Sequence, residues 1–197
     1  MSLPADEIRS NKGRLFTASA LHSRGPLCEI GVFKGATFRL LLQAAILLKT
    51  EAHAVDSFRG MAKPGPMDDG DTFYPEGKFD IGGPNAFRAI VAGWQLAGGL
   101  ERLRVWPGYV PAVLDTLSPG SRFGFVHVDL DQYQPTLDAG RWAWEHTLVG
   151  GCVAFHDYLP KINHGRLATA AIDVLENELK GGSFYVEGDE ALFFKLT

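Results

Sequence analysis

Residues 26–49, PLCEIGVFKGATFRLLLQAAILLK, decide the fold. The apolar run over 26–31 reads as a short buried strand, and the run after it is apolar almost all the way round, as a helix packed inside a larger body is. Gly31 and Gly35 stand at the junction. A buried strand that passes through a glycine turn into a helix is the opening half of a parallel-sheet unit. Gly31 lets backbone approach a ligand there, and Gly35 lets the turn enter the helix without a side-chain clash. Phe33 occupies the middle position, so the turn is not the three-glycine dinucleotide fingerprint, and it lacks the Gly-Lys-Ser/Thr ending of a phosphate-cradling loop. It suits a nucleoside without a pyrophosphate.

The alternation continues along the chain. A second strand ends at Ala54-Val55-Asp56, further strands are expected over 101–106, 123–128 and 151–156, and a closing pair over 183–188 and 191–196 is joined by a short acidic turn. Helices are expected over 85–98, 109–117, 135–148 and 165–180, the last stopped by Gly181 and Gly182. This order predicts an α/β fold, a seven-stranded mixed sheet flanked by helices, with the last hairpin supplying the antiparallel strand. Ligands of such a sheet bind beyond the carboxyl ends of its strands, where the strand order reverses. With 197 residues, 46% of them hydrophobic and 21% charged, the chain is expected to form one domain over 1–197, with a short N-terminal segment 1–25. A net charge of -4 argues against nucleic acid as the principal partner. No apolar run has signal-peptide or membrane-spanning length, and Cys28 and Cys152 lie inside apolar runs, so the expected location is cytoplasmic.

Residues 64–84 defeat both periodicities, with four prolines, five glycines and five carboxylates in 21 residues. A loop of this length is expected to cover a site, to bind, or simply to decorate the surface. We read it as a lid carrying apolar anchors at Phe73, Tyr74 and Phe79, with a calcium-like loop around Asp68, Asp69 and Asp71 and a surface ornament as the alternatives.

Two further patterns carry chemistry. Asp56 follows an apolar strand 21 residues after Gly35, where an acid can accept both hydroxyls of a ribose or cap the next turn. In VDLDQY, residues 128–133, alternation turns Asp129 and Asp131 to the same side, and FHDY, residues 155–158, ends the next strand at the same sheet edge. Like charges brought together there are reconciled by a shared cation. The expected ligands are Asp129, His156 and Asp157, with Asp131 as the base that deprotonates a metal-bound hydroxyl. Asp129 as a helix cap and His156 as a hydrogen-bonded core residue is the alternative. His127 is expected to be a satisfied strand histidine turned away from Asp129, and His164 to lie in a loop within reach of the acceptor.

The ordered set CEIGVFKGATFRLL, HAVDSFRGM, VWPGYVPAVLDTL, HVDLDQYQPTLDA and GGCVAFHDY resembles the class I S-adenosylmethionine-dependent methyltransferases, and within them the macrocin O-methyltransferase-like family of sugar and antibiotic-tailoring enzymes. The resemblance runs from about Leu27 to the C-terminus. It implies a Rossmann-like class I methyltransferase fold and a reaction that moves the methyl group of S-adenosyl-L-methionine onto a hydroxyl. By the same resemblance Glu29, Gly31 and Gly35 surround the methionine end of the cofactor, Asp56 and Ser57 hold its ribose, and Gly108 and Tyr109 lie near its adenine. Asp129 borders both cofactor and ion, magnesium takes the positions of Asp129, His156 and Asp157, and Asp131 falls on the position of a base, with His164 as a second catalytic candidate. Where this chain has His156-Asp157 the family has two consecutive acids, and an imidazole shifts the preference toward manganese, iron, cobalt or zinc. The implied partner is a small-molecule acceptor such as a glycoside, without nucleic acid or membrane, and a homodimer is left open. A non-haem metal-dependent hydroxylase and a non-catalytic nucleoside-binding accessory protein are the competing readings.

Overall fold

A computed structural model describes residues 12–68, 73–117, 120–158 and 166–197. Seven strands form one sheet: β1 (Leu27–Ile30), β2 (Ala52–Asp56), β3 (Leu103–Pro107), β4 (Phe123–Val128), β5 (Thr147–Phe155), β6 (Gly182–Glu187) and β7 (Glu190–Lys195). Their order is β3-β2-β1-β4-β5-β7-β6. Strands β1 to β5 run parallel and β7 is antiparallel to both of its neighbours, so the sheet is the mixed, seven-stranded one that the sequence predicts. The helices are α1 (Arg14–Leu21), α2 (Ala36–Leu48), α3 (Pro84–Gly93), α4 (Gly99–Arg102), α5 (Tyr133–His146) and α6 (Arg166–Glu178). None among the described residues is long and apolar enough to cross a membrane.

Strand alternation divides the core into two layers. Cys28 and Ile30 of β1 pack with Phe155, Leu137 and Ile172 on the side covered by α5 and α6. Leu27 packs with Phe16, Phe38 and Phe125 on the side covered by α1 and α2. Glu29 shares the face of Leu27, at the cavity end of this layer, where His127 and Glu190 are buried with it. Each fully buried phenylalanine contributes about 1.5–3 kcal/mol through the apolar surface it removes from water.

The structure departs from the sequence reading at element ends. Helix α1 lies inside the segment read only as an N-terminal extension. Its first N–H groups, those of Arg14 and Leu15, donate to the Glu187 carboxylate on β6 at 3.1 and 2.7 Å, a cap supplied from the far end of the chain. Glu101 and Arg102, read as the start of a strand, finish α4 instead, and β3 begins at Leu103. The helix expected over 109–117 is reduced to a short 3₁₀ turn, Leu114–Thr116, and Pro111 disfavours helical backbone at Val110 before it. Helix α3 stops at Gly93, with Gln95 in the left-handed region at φ 53, short of the expected end at 98. Strand β5 starts at Thr147 rather than at 151, and α5 starts at Tyr133 rather than at Pro135.

Candidate active site

The strand order reverses between β1 and β4, and a cavity of 460 Å³ opens there beyond their carboxyl ends. Of the residues expected around a nucleoside cofactor, Glu29, Gly31, Asp56, Ser57, Gly108 and Tyr109 line it. Of the carboxylate cluster, Asp129, Asp131 and His156 line it as well. Gly31 sits at φ 89, and a Cβ on it would lie 1.8 Å from the carbonyl oxygen of Asp129, so β1 and β4 can end side by side only with glycine at this position. Gly35 does not face the cavity: a Cβ there would meet Trp94 and Phe87 at 2.8 and 3.1 Å, which makes it a packing position behind the turn.

Asp56 does more than the sequence suggested. Its Oδ2 accepts the backbone N–H groups of Val32 and Phe33 at 2.7 and 2.9 Å, and its Oδ1 accepts that of Phe58 at 2.6 Å. The carboxylate therefore ties the glycine turn to the end of β2 and caps the turn that follows, while lining the cavity. The Ser57 hydroxyl donates to the Gly60 carbonyl at 2.8 Å and accepts the N–H of Arg59 at 3.0 Å, which leaves Oδ1 of Asp56, with one backbone donor, as the oxygen freer to meet a ligand hydroxyl.

The last ladder bonds of β1, β4 and β5 deliver the carboxylates to one edge. Asp129 N–H donates to the Ile30 carbonyl at 2.8 Å and His156 N–H to the Val128 carbonyl at 3.0 Å. His156 Nδ1 lies 3.3 Å from Asp129 Oδ1 and 3.4 Å from Asp157 Oδ1, while its Nε2 lies 3.4 Å from Asp189 Oδ2. One donor atom from each of Asp129, His156 and Asp157 falls within 4.8 Å of the others, a spacing that a single divalent ion can span. Two carboxylate oxygens and one imidazole nitrogen fit manganese, iron, cobalt or zinc better than an all-oxygen magnesium site. Burial works against the charged imidazole, yet the hydrogen bond and charge of Asp129 outweigh it and push His156 up to about 9. Asp129 is held below the usual carboxylate range, where burial is overcome by its hydrogen bond to His156. Asp131 moves the other way: burial, then the charges of Asp129 and Asp157, push it up to about 8.

Glu29 is fully buried, and its Oε1 accepts a hydrogen bond from His127 Nδ1 at 2.7 Å. Its Oε2 has no hydrogen-bond partner among the described residues. His127 is thus the satisfied strand histidine expected, but it does not turn away from Asp129. Positions two apart share a face, and its ring packs edge-on to that of His156 at a centroid distance of 6.3 Å.

The loop after β2 leans on this edge. Asp68, 3% exposed, accepts the N–H of Tyr133 at 2.8 Å and so caps α5 from outside the helix. Gln132 Nε2 donates to the Ala62 carbonyl at 3.0 Å. Tyr74 is buried, with its hydroxyl under the charge of Asp131, and Phe79 packs on Phe33 at 5.0 Å. The Asp68 cap, the Gln132–Ala62 bond and the approach of Asp189 to His156 join positions remote in sequence, which local patterns do not reveal. His164, Asp69 and Asp71 lie outside the described residues.

A family model described as a methyltransferase domain matches residues 28–158. No curated protein matches the chain in sequence. Among solved structures, the O-methyltransferase NovP superposes with a TM-score of 0.75 at 19% identity, over 93% of this chain and 78% of that one. CalS11, a calicheamicin methyltransferase, superposes with a TM-score of 0.74 at 16% identity, over 96% of this chain and 78% of that one. The SAH-bound methyltransferase PaMTH1 of Podospora anserina gives 0.63 at 11% identity, over 100% of this chain and 90% of that one. At such identities the similarity is one of fold.

Proposed function

Because the chain belongs to this methyltransferase domain family, we propose that it moves the methyl group of S-adenosylmethionine onto a hydroxyl of a small, sugar-containing metabolite, in the manner of the macrocin O-methyltransferase-like enzymes. The observation that carries this reading is the shared cavity: the glycine turn and Asp56 line the same space as Asp129, Asp131 and His156. A cofactor site alone would suit any nucleoside, and carboxylates alone any cation. Glu29 Oε2, buried and unpartnered among the described residues, fits the α-ammonium of the cofactor's amino-acid end. A sugar acceptor is supported by CalS11, described as a TDP-rhamnose 3'-O-methyltransferase.

The cofactor would supply an electrophilic methyl carbon, its electron pair returning to sulfur on transfer, and a divalent ion held by Asp129, His156 and Asp157 would lower the pKa of the acceptor hydroxyl. Asp131 is placed to take the proton of that hydroxyl. Burial favours the protonated form of Asp131, which suits a group that must accept that proton. Tyr74 and Phe79, on the described part of the loop, help to cover the site and limit water, and Tyr74 beside Asp131 gives way as an acceptor hydroxyl takes its place. The hydroxylase reading needs a second imidazole on the ion, and His127 is committed to Glu29.

Calorimetric titration tests the assignment. Adenosylhomocysteine should bind while NAD and ATP bind far more weakly, and Asp131→Asn should keep that affinity while single-turnover methyl transfer falls about 10²- to 10⁴-fold. Equal affinity for NAD would overturn the cofactor reading. Full transfer in chelator, with no metal left on the protein, would remove the ion from the mechanism, and an unchanged rate in the Asp131→Asn variant would move the base elsewhere.

A further inference from the structure

A buried line of polar groups joins the N-terminal helix to the cofactor cavity. Lys12, directly before α1, pairs with Glu190 at the start of β7, and its Nζ lies 3.3 Å from His127 Nε2. On the other side of the ring, His127 Nδ1 lies 2.7 Å from Glu29 Oε1. The side chains of Lys12, Glu190, His127 and Glu29 are 5%, 0%, 0% and 2% exposed, so water does not loosen the line. Phe16 of α1 closes it from above, edge-on to His127 at 5.1 Å.

Each contact constrains the next. An ammonium group has only hydrogens to offer, so Lys12 faces Nε2 as a donor, and the ring hydrogen belongs on Nδ1, pointed at Glu29. Glu190 keeps Lys12 in place. Glu29 is thereby held through one oxygen, and its second oxygen has no hydrogen-bond partner among the described residues although the side chain lines the cavity. A buried carboxylate oxygen without a donor is unfavourable, and a ligand ammonium at that point satisfies it.

We propose that Lys12 and Glu190 are positioning residues for the amino-acid end of the cofactor: together they fix His127 so that its Nδ1–H anchors one oxygen of Glu29 and leaves the other for the cofactor's ammonium. The proposal rests on the methyltransferase reading. Without Lys12, Nε2 faces Glu190 Oε2 directly at 3.5 Å, and that carboxylate competes with Glu29 for the ring hydrogen.

Two ligands separate positioning from simple loss of structure. Adenosylhomocysteine carries the amino-acid end, whereas methylthioadenosine has the same nucleoside and sulfur without it. Calorimetry on the full chain should show Lys12→Met weakening adenosylhomocysteine about tenfold, the loss of one charge-assisted contact, with methylthioadenosine unchanged within about twofold. Lys12→Arg, which keeps a cationic donor, should restore most of the difference. An equal loss for both ligands, or no loss for either, would overturn the positioning role while leaving the methyltransferase reading intact. A wild-type protein that binds neither ligand would overturn that reading and this proposal with it.

Discussion

Replacing Asp56 by asparagine probes the join between fold and cofactor site. The carboxylate accepts three backbone N–H groups, two on Oδ2 and one on Oδ1, at 2.6 to 2.9 Å. An amide has one oxygen to offer, so its better orientation keeps Val32 and Phe33 and sets its own N–H₂ against the N–H of Phe58. One bond is lost, and two fall from charged to neutral strength. Bonds to charged groups contribute about 1.5–3 kcal/mol and neutral ones about 1, which sums to several kcal/mol at full burial. Asp56 is only partly buried, so water recovers part of this and a net loss of about 2 kcal/mol is expected. For a domain of this size that lowers Tm by about 4–8 °C, readable by circular dichroism, with adenosylhomocysteine affinity falling in parallel because the turn that frames the cavity loosens. A variant that melts within about 1 °C of wild type yet binds the ligand tenfold more weakly would refute the clamp and return Asp56 to ribose binding alone.

Two other perturbations test the surroundings. Asp68→Ala removes the outside cap of α5 and one anchor of the covering loop; it should destabilise by about 0.5–2 kcal/mol and speed proteolytic cleavage between β2 and α3, and unchanged cleavage would show that the loop is held by other contacts. His53 should make stability pH-dependent. Trp106 Nε1 donates to its Nδ1 at 3.1 Å, which requires a free lone pair there, and burial lowers its pKa. The unfolded chain then binds the proton first, so His53 stabilises the fold fully above about pH 6.5 and less as pH falls from there toward the lowered folded value. The difference in Tm between wild type and His53→Gln should shift toward the variant on acidification across this window, and a flat difference would rule the effect out.

The sheet was legible because its information is local. A buried strand, a glycine turn and a helix follow one another within residues 27–48, and an acid placed directly after an apolar strand marks the sheet edge. Asp129, His156 and Asp157 could be brought together from strand ends alone, since neighbouring parallel strands finish at one edge. What escaped was set by partners distant in sequence. The start of α5 depends on Asp68, 65 residues earlier, and the existence of α1 on Glu187, more than 170 residues later. Glu190 did leave a signal, an acid heading the apolar run ALFFKL, but only the completed sheet shows that it points inward. The direction of His127 follows from strand period alone, since it lies two positions before Asp129 and shares its face.

The link between α1 and the β6–β7 hairpin also fixes an order of events during synthesis. Glu187 and Glu190, which seat the first helix, leave the ribosome after all the strands that border the cavity, so a nascent chain can pair β1 with β4 long before α1 has anything to dock on. Closing contacts across 172 to 178 residues is slow compared with forming the local strand and helix units. In a translating cell the last competence acquired should therefore be a firm hold on the ligand's amino-acid end, arriving after the strands that border the cavity have paired, and a chain stalled before residue 187 would hold its innermost carboxylate without its support.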